Sequence, residues 1–350
     1  MTKFFAAANT EKGFVSLFDD IFSPEHFRRI YILKGGPGCG KSTMMKKIGA
    51  AAEAGGWETE YLYCSSDPAS LDGVTIPALS TAILDGTAPH TVDPKYPGAV
   101  ERIVNLSEAF DCRSLEKKQK QIRTLIRQKG EYYRTAYRFL ASAGILTKEC
   151  DMKTAAFFME EKAKKTAFRI AESLRNKKKG EEKWRYLSAI SIDGPIRLDS
   201  FGNMAKTTYA VTEKYGLGYA FMDVLYREFT SRGLAMIVCR TPLTQNRMEA
   251  IFLEGDGILF LLSDESGTRK ADKVINTGRF LREDILRLHR PSFRFTEKCS
   301  AILLDGAYEA LKKAGDCHRE TESIYGKAIS FQHVDREYEK ILSEIFENNM

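Results

Sequence analysis

Nine consecutive residues, Gly35-Gly36-Pro37-Gly38-Cys39-Gly40-Lys41-Ser42-Thr43, constrain this chain more than any others. They fit G-x-x-x-x-G-K-[ST], the P-loop that cradles nucleotide phosphates. The β-rich run Arg29-Ile30-Tyr31-Ile32-Leu33-Lys34 precedes them. Residues 42–54 follow, with apolar side chains at Met44, Met45, Ile48 and Ala52, a helical spacing. Strand, glycine loop and helix in that order predict an α/β fold whose parallel sheet is covered by helices on both faces. Glycines let the backbone turn tightly and aim successive N–H groups at one anion, and the new helix adds the positive end of its dipole. On this reading Gly35, Gly36, Pro37, Gly38, Cys39, Gly40, Lys41, Ser42 and Thr43 form the nucleotide site. Lys41 reaches the β- and γ-phosphates, and the Ser42 hydroxyl ligates Mg²⁺. Cys39 reads as a small filler within the loop, with a redox switch as the lesser alternative.

The chain's 350 residues suggest two or three domains, and 43% hydrophobic content is ample for their cores. No apolar run approaches a membrane span, and Met1-Thr2-Lys3-Phe4-Phe5 lacks a signal-peptide pattern. The seven cysteines form no C-x-x-C, so a cytoplasmic protein with reduced thiols is expected, with no membrane partner.

Three segments are predicted. Residues 1–112 form the nucleotide-binding domain. Its strands lie near 30–34, 58–64 and 80–84, with a fourth strand or short helix over 100–109. Residues 113–180 lack proline and show apolar residues at helical spacing, among them Leu115, Ile122, Leu125 and Ile126. They read as a helical hairpin turning near Gly144, with its second helix over 152–174. Residues 181–350 repeat the first segment. Residues 3–7 match 185–189, 61–66 match 236–241, and 102–105 match 273–276, all in the same order. In this repeat the P-loop position falls on residues 213–220, with Tyr219 and Ala220 in place of the phosphate lysine and the magnesium hydroxyl. The second half is therefore expected to be a degenerate P-loop-like domain.

The loop at 35–43, together with Cys64-Ser65-Ser66-Asp67, Ser70-Leu71-Asp72-Gly73 and Asp85-Gly86-Thr87-Ala88-Pro89-His90, resembles a little-characterised bacterial group of ATPase-like proteins with tandem P-loop domains. The resemblance is strong over residues 3–145. It implies ATP binding and names no substrate. In that group the second half can carry its own P-loop, and this sequence departs there.

An acid at the end of a hydrophobic strand must hold the Mg²⁺ shell; Asp85, closing Leu79-Ser80-Thr81-Ala82-Ile83-Leu84, is the candidate. Asp67 is the runner-up, and it could instead orient water or bind an acceptor. No glutamate follows Asp85, so a base must come from Asp67, Asp72, His90 or Asp93. Arg240, read as the counterpart of Ser65, is a candidate arginine finger. ATP and Mg²⁺ are thus the expected cofactors, and no Asn-Lys-x-Asp string points to guanine. Three functions remain open: an ATPase, a small-molecule or nucleotide kinase, and a non-catalytic ATP-gated interaction module.

Charge is uneven. Residues 113–183 hold 20 Lys and Arg against 9 Asp and Glu, whereas the whole chain carries a net +6. Lys117, Lys118, Lys120, Arg123, Arg127, Arg134 and Arg138 cluster there, with Tyr132, Tyr133 and Tyr137 interleaved. A solvated face, a nucleic-acid surface, a protein-docking surface and a lid over the nucleotide are the readings.

Overall fold

Two copies of one topology meet edge to edge in a single mixed sheet of twelve strands. The computed structural model describes residues 1–263 and 271–346. The first copy contains strands β1 (Thr2–Phe5), β2 (Ala7–Thr10), β3 (Gly13–Ser16), β4 (Arg29–Lys34), β5 (Glu60–Tyr63), β6 (Leu71–Ile76), β7 (Thr81–Asp85) and β8 (Glu101–Asn105). Its helices are α1 (Phe18–Ile21), α2 (Lys41–Ala54), α3 (Cys112–Lys117), α4 (Gln119–Phe157) and α5 (Glu160–Glu172). The second copy contains β9 (Glu182–Tyr186), β10 (Ser188–Ser191), β11 (Gly194–Arg197), β12 (Thr207–Thr212), β13 (Met236–Arg240), β14 (Met248–Leu253), β15 (Ile258–Ser263) and β16 (Lys273–Ile275). Its helices are α6 (Leu217–Ser231), α7 (Glu283–Gly326) and α8 (Phe331–Phe346).

The sheet runs β8-β4-β7-β6-β5-β1 in one lobe and continues β9-β13-β14-β15-β12-β16 in the other. The second half is the first read backwards, and the seam is the antiparallel pair Phe5–Tyr186. The correspondence extends to irregularities. Register slips between Leu62 and Tyr63 against β6, and between Cys239 and Arg240 against β14. The hairpins β2–β3 and β10–β11 turn on Gly13 and Gly194, whose φ values of 96° and 97° suit glycine. Asn105 and Asn276 each cap a 3₁₀ turn, accepting from the N–H of Ser107 and Gly278.

The strands expected near 30–34, 58–64 and 80–84 are present as β4, β5 and β7, and the strand or short helix expected over 100–109 is strand β8 followed by a 3₁₀ turn at Leu106–Ala109. The sheet is not purely parallel, however. β6 and β14 run antiparallel to both of their neighbours. Geometry also shifts the first repeat match by one residue, pairing Phe5 with Tyr186 and Ala7 with Ser188, and the second by two, pairing Tyr63 with Arg240.

The expected hairpin over 113–180 is absent. α4 is one helix of 39 residues that passes straight through Gly144. Its buried residues Ile122, Leu125, Ala136, Leu140 and Ala143 lie on one face, and the face packs on α7, not on a neighbour in sequence. The two helices are antiparallel, with Gln121 donating to Glu320 at one end and Lys153 to Ser292 at the other. Ala136 and Ala307 pack where they cross. Gly144 and its counterpart Gly315 are needed for close approach: a Cβ at Gly144 would overlap Glu11, and one at Gly315 would press on Ile192. Each hairpin tip thus docks on a long helix.

This pairing exchanges the helices between lobes. α5 packs through Ala163, Ala167 and Ala171 in the core with Phe221, Met222 and Leu225 of α6, although it follows the first copy. α8 returns the exchange, placing Val334, Ile341 and Ile345 in the core with Met44, Met45 and Ile48 of α2. Phe157, at the end of α4, lies in the second-lobe core with Phe293, Phe280 and Phe221. No described helix is long and apolar enough to cross a membrane.

Candidate functional site

The glycine loop leaves β4 at Lys34 and enters α2 through Gly40, whose φ of 86° is left-handed. Gly38 is also left-handed, at 69°. The two bends turn the chain back toward the head of α2, where the first-turn N–H groups have no intrahelical partner. Among the described residues no side-chain oxygen hydrogen-bonds to the N–H groups of residues 38–43. The Lys41 ammonium curls back onto its own loop, donating to the carbonyls of Gly35 (3.2 Å) and Gly36 (3.1 Å). It also lies 3.6 Å from Asp85 Oδ2. Asp85 ends β7, the parallel neighbour of β4, opposite Leu33. Its other oxygen accepts from the Thr87 N–H (2.9 Å) and hydroxyl (2.6 Å). The Ser42 hydroxyl accepts from the Leu71 N–H at 2.9 Å, tying the head of α2 to β6.

Lys41, Ser42 and Asp85 are therefore gathered at one end of the sheet. Asp67 sits on the loop leading into β6, its carboxylate accepting from the Ala69 N–H (3.2 Å) and the Ser70 hydroxyl (2.8 Å). His90 does not join them. Its ring stacks on Phe18 at 4.1 Å and lies edge-on to Phe14, and Nε2 is 3.2 Å from the buried Asp72. It is a packing residue of the core, which removes both His90 and Asp72 as open candidates for the base. Asp93 is exposed and lies 3.9 Å from Lys34. Cys39 is 1% exposed, and burial pushes its thiol up, against the pull of Lys41, so it fills space and is no accessible redox switch. Arg240 corresponds to Tyr63, not Ser65, and its guanidinium lies 3.9 Å over the Trp184 ring. That stack commits it within the second lobe.

Four residues beside the loop escape sequence reading because they come from the crossing helices. A Cβ at Gly38 would be 3.1 Å from the Glu322 carbonyl, and one at Gly36 would be 3.1 Å from Phe110 and Tyr325. The end of α7 thus rests on the loop. His318 is 3.6 Å from Glu322, and burial, with Lys129 beside it, pushes the imidazole down. The only signal that could have located these residues is the repeat itself, which matches α7 to α3 and α4 together.

The second lobe shows what the same architecture does without the motif. Gly216, with φ of 80°, caps α6 as Gly40 caps α2. The loop is shorter, and Leu217 and Gly218 follow the cap where Lys41 and Ser42 do in the first copy. The earlier placement on Tyr219 and Ala220 is corrected, because counting from a gapless sequence match ignored the lost residues. Glu213 stands first in this loop, where Gly35 stands in the other. Its carboxylate accepts from the Gly216 N–H (2.7 Å) and the Tyr219 N–H (3.2 Å). The anion position at the head of α6 is thus taken by the chain's own carboxylate. The acid of β7 is also missing, since Leu262 is the residue that pairs with Val211 as Asp85 pairs with Leu33.

Burial pushes the Glu213 carboxyl up, more than its N–H partners pull it down, and it does the same to Glu249 on β14. Each carboxyl is held above its unfolded pKa, so between the two values the folded state binds more protons. Stability therefore falls as pH rises from the ordinary carboxylate range through that window. Glu213→Gln/Glu249→Gln removes the share of the dependence that these two carboxyls contribute. Urea unfolding at several pH values is expected to show the variant gaining on the wild type as pH rises above the ordinary carboxylate range, about 4. A difference independent of pH contradicts it.

Comparison of the chain with family models, with curated proteins and with solved structures finds no match in any of the three.

Proposed function

We propose that the first lobe binds Mg·ATP at a P-loop and hydrolyses it slowly, with one working site per chain. One observation carries the reading. Where the second lobe satisfies the head of its helix with Glu213, the first has Gly35 and leaves the N–H groups of an open glycine loop to an anion from outside. The residues fit the expected group. Lys41 bonds its own loop carbonyls and lies beside Asp85, and its ammonium would exchange the carbonyls for phosphate oxygens. Ser42 and Asp85 would hold Mg²⁺, which neutralises charge on the transferring phosphoryl group. Asp67 or the exposed Asp93 would orient water, since His90 is stacked in the core and pairs with Asp72. Catalysis is then positioning and charge neutralisation.

The test is phosphate release from ATP as Mg²⁺ is varied. Asp85→Asn is expected to raise the Mg²⁺ needed for half-maximal turnover at least about tenfold, the usual scale for disturbing a metal's partners. Unchanged Mg²⁺ dependence would remove Asp85 from the site.

The gated-module reading has one observation in its favour. The end of α7 lies against Gly36 and Gly38, so a nucleotide seated in the loop would lie beside that end. Nucleotide occupancy would then be felt along α7, which reaches the other lobe. Gating and slow turnover are compatible, because release of a cover can limit the rate.

A further inference from the structure

Five of the 20 Lys and Arg of residues 113–183 line up in one stripe. At 100° per residue, Lys120, Arg123, Arg127, Arg134 and Arg138 of α4 fall within an arc of about 60° over about 27 Å of helix. All five are exposed. The face bearing Ile122, Leu125, Ala136 and Leu140, which packs on α7, lies on the opposite side of the helix. Only Arg134 of the five has a carboxylate within ion-pair distance among the described residues, the neighbouring Glu131 at 3.9 Å. At the stripe's N-terminal end Lys117, Lys118 and Lys120 line a shallow groove of ≈580 Å³ with Gln121, Thr124, Gln128 and one carboxylate, Glu320 of α7, which accepts from Gln121.

The repeat supplies an internal control. The matching positions on α7 are Pro291, Arg294, Lys298, Asp305 and Glu309, all exposed and without net charge. The same helix in the same surroundings therefore does not need a cationic face to fold or stay soluble. Five like charges along one line also repel one another, a cost relieved by a polyanion.

We propose that this stripe is a docking surface for duplex nucleic acid, contacted through its phosphates. Charge complementarity selects a polyanion, and a straight row of about 27 Å matches about eight base-pair steps along a duplex. The aromatic residues decide against a single strand. Tyr133 and Tyr137 lie among the core residues, Tyr137 donating to Asn9 at 3.0 Å, so they are not a stacking platform for bases. Contact is to the backbone, independent of sequence and strongly dependent on salt. It rests on the stripe alone and not on nucleotide binding by the first lobe.

The experiment is fluorescence anisotropy of a labelled DNA duplex of about 20 base pairs with the full chain, from about 50 to 200 mM KCl. Five phosphate contacts give a slope of log affinity against log salt near −4.5. Lys120→Gln/Arg123→Gln/Arg127→Gln should weaken binding at least tenfold and flatten the slope by about 3. Arg134→Gln/Arg138→Gln, a second and independent variant, should flatten it by about 2. Arg294→Gln/Lys298→Gln on α7 should bind as the wild type does. Circular dichroism melts establish that each variant is folded. Duplex RNA in a parallel arm distinguishes the two sources of the same backbone chemistry. No duplex binding at low salt, or stripe variants that bind like wild type, overturns the proposal. So does a single strand that binds more tightly than the duplex, or polyglutamate that competes as well at equal charge; the latter would point to an acidic protein.

Discussion

Lys41→Ala is expected to lower ATP turnover by about 100- to 1,000-fold, the scale for removing one preorganised charge partner of a transition state. The lysine is the only mobile cation that meets both the loop and Asp85 among the described contacts. Its ammonium now bonds the carbonyls of Gly35 and Gly36, groups that bind it no more strongly than water would. Exchanging them for phosphate oxygens is favourable because an anionic acceptor adds ion-pair attraction to a bond the ammonium already makes to neutral carbonyls. The variant leaves Asp85 without its nearby cation, 19% exposed and free to rehydrate, so folding should change little. Single-turnover phosphate release, with a thermal melt beside it, separates lost chemistry from lost structure. Turnover within about threefold of wild type, in a folded variant, would mean that Lys41 does not touch the reacting phosphate.

Phe157→Ala should cost about 3–5 kcal/mol, the range for deleting a large aromatic side chain from a core. Phe157 is fully buried at the end of α4, yet its ring neighbours are Phe293 and His289 of α7, both 6.5 Å between centroids. Its core is that of the second lobe, with Leu217 and Phe221. The chain has two tryptophans, Trp57 in the first lobe and Trp184 in the second. Each can be kept as the sole reporter by replacing the other with phenylalanine. The helix exchange predicts that Trp184 fluorescence is lost at clearly lower urea in Phe157→Ala, no later than Trp57 fluorescence. A penalty under about 1 kcal/mol would contradict the crossing of α4 into the second lobe.

The parts of this architecture that were legible in the sequence are those written in consecutive residues. The loop between β4 and α2 could be read because the left-handed bends at Gly38 and Gly40 need glycine. β4, β7 and the terminal Asp85 followed from it. The long helices were not legible in the same way. A helix turning back at Gly144 and a helix running through it share the same apolar period, and glycine suggests a turn. Here glycine serves close approach, since Glu11 occupies the space a side chain would need. β6 was not among the expected strands, for a related reason at Ser70-Leu71-Asp72-Gly73. The turn-like composition of that segment hides the strand, and Gly73 is there because the Phe22 ring lies where a Cβ would be.

The second site was legible as degenerate but not as closed. Loss of the lysine can be read directly. That Glu213 takes over the role of the anion depends on a shortened loop bringing its carboxylate to the head of α6, and no residue type announces that. The same carboxylate explains how an unliganded helix terminus is stable there: buried N–H groups left without a partner would cost about 1–3 kcal/mol each.

The asymmetry between the two lobes is the central claim, and binding stoichiometry tests it most directly. Calorimetric titration of a non-hydrolysable ATP analogue with Mg²⁺ into the full chain should give one site per chain, lost in Lys41→Ala and retained in Glu213→Gln. Two sites per chain, or one site that survives Lys41→Ala, would contradict the account.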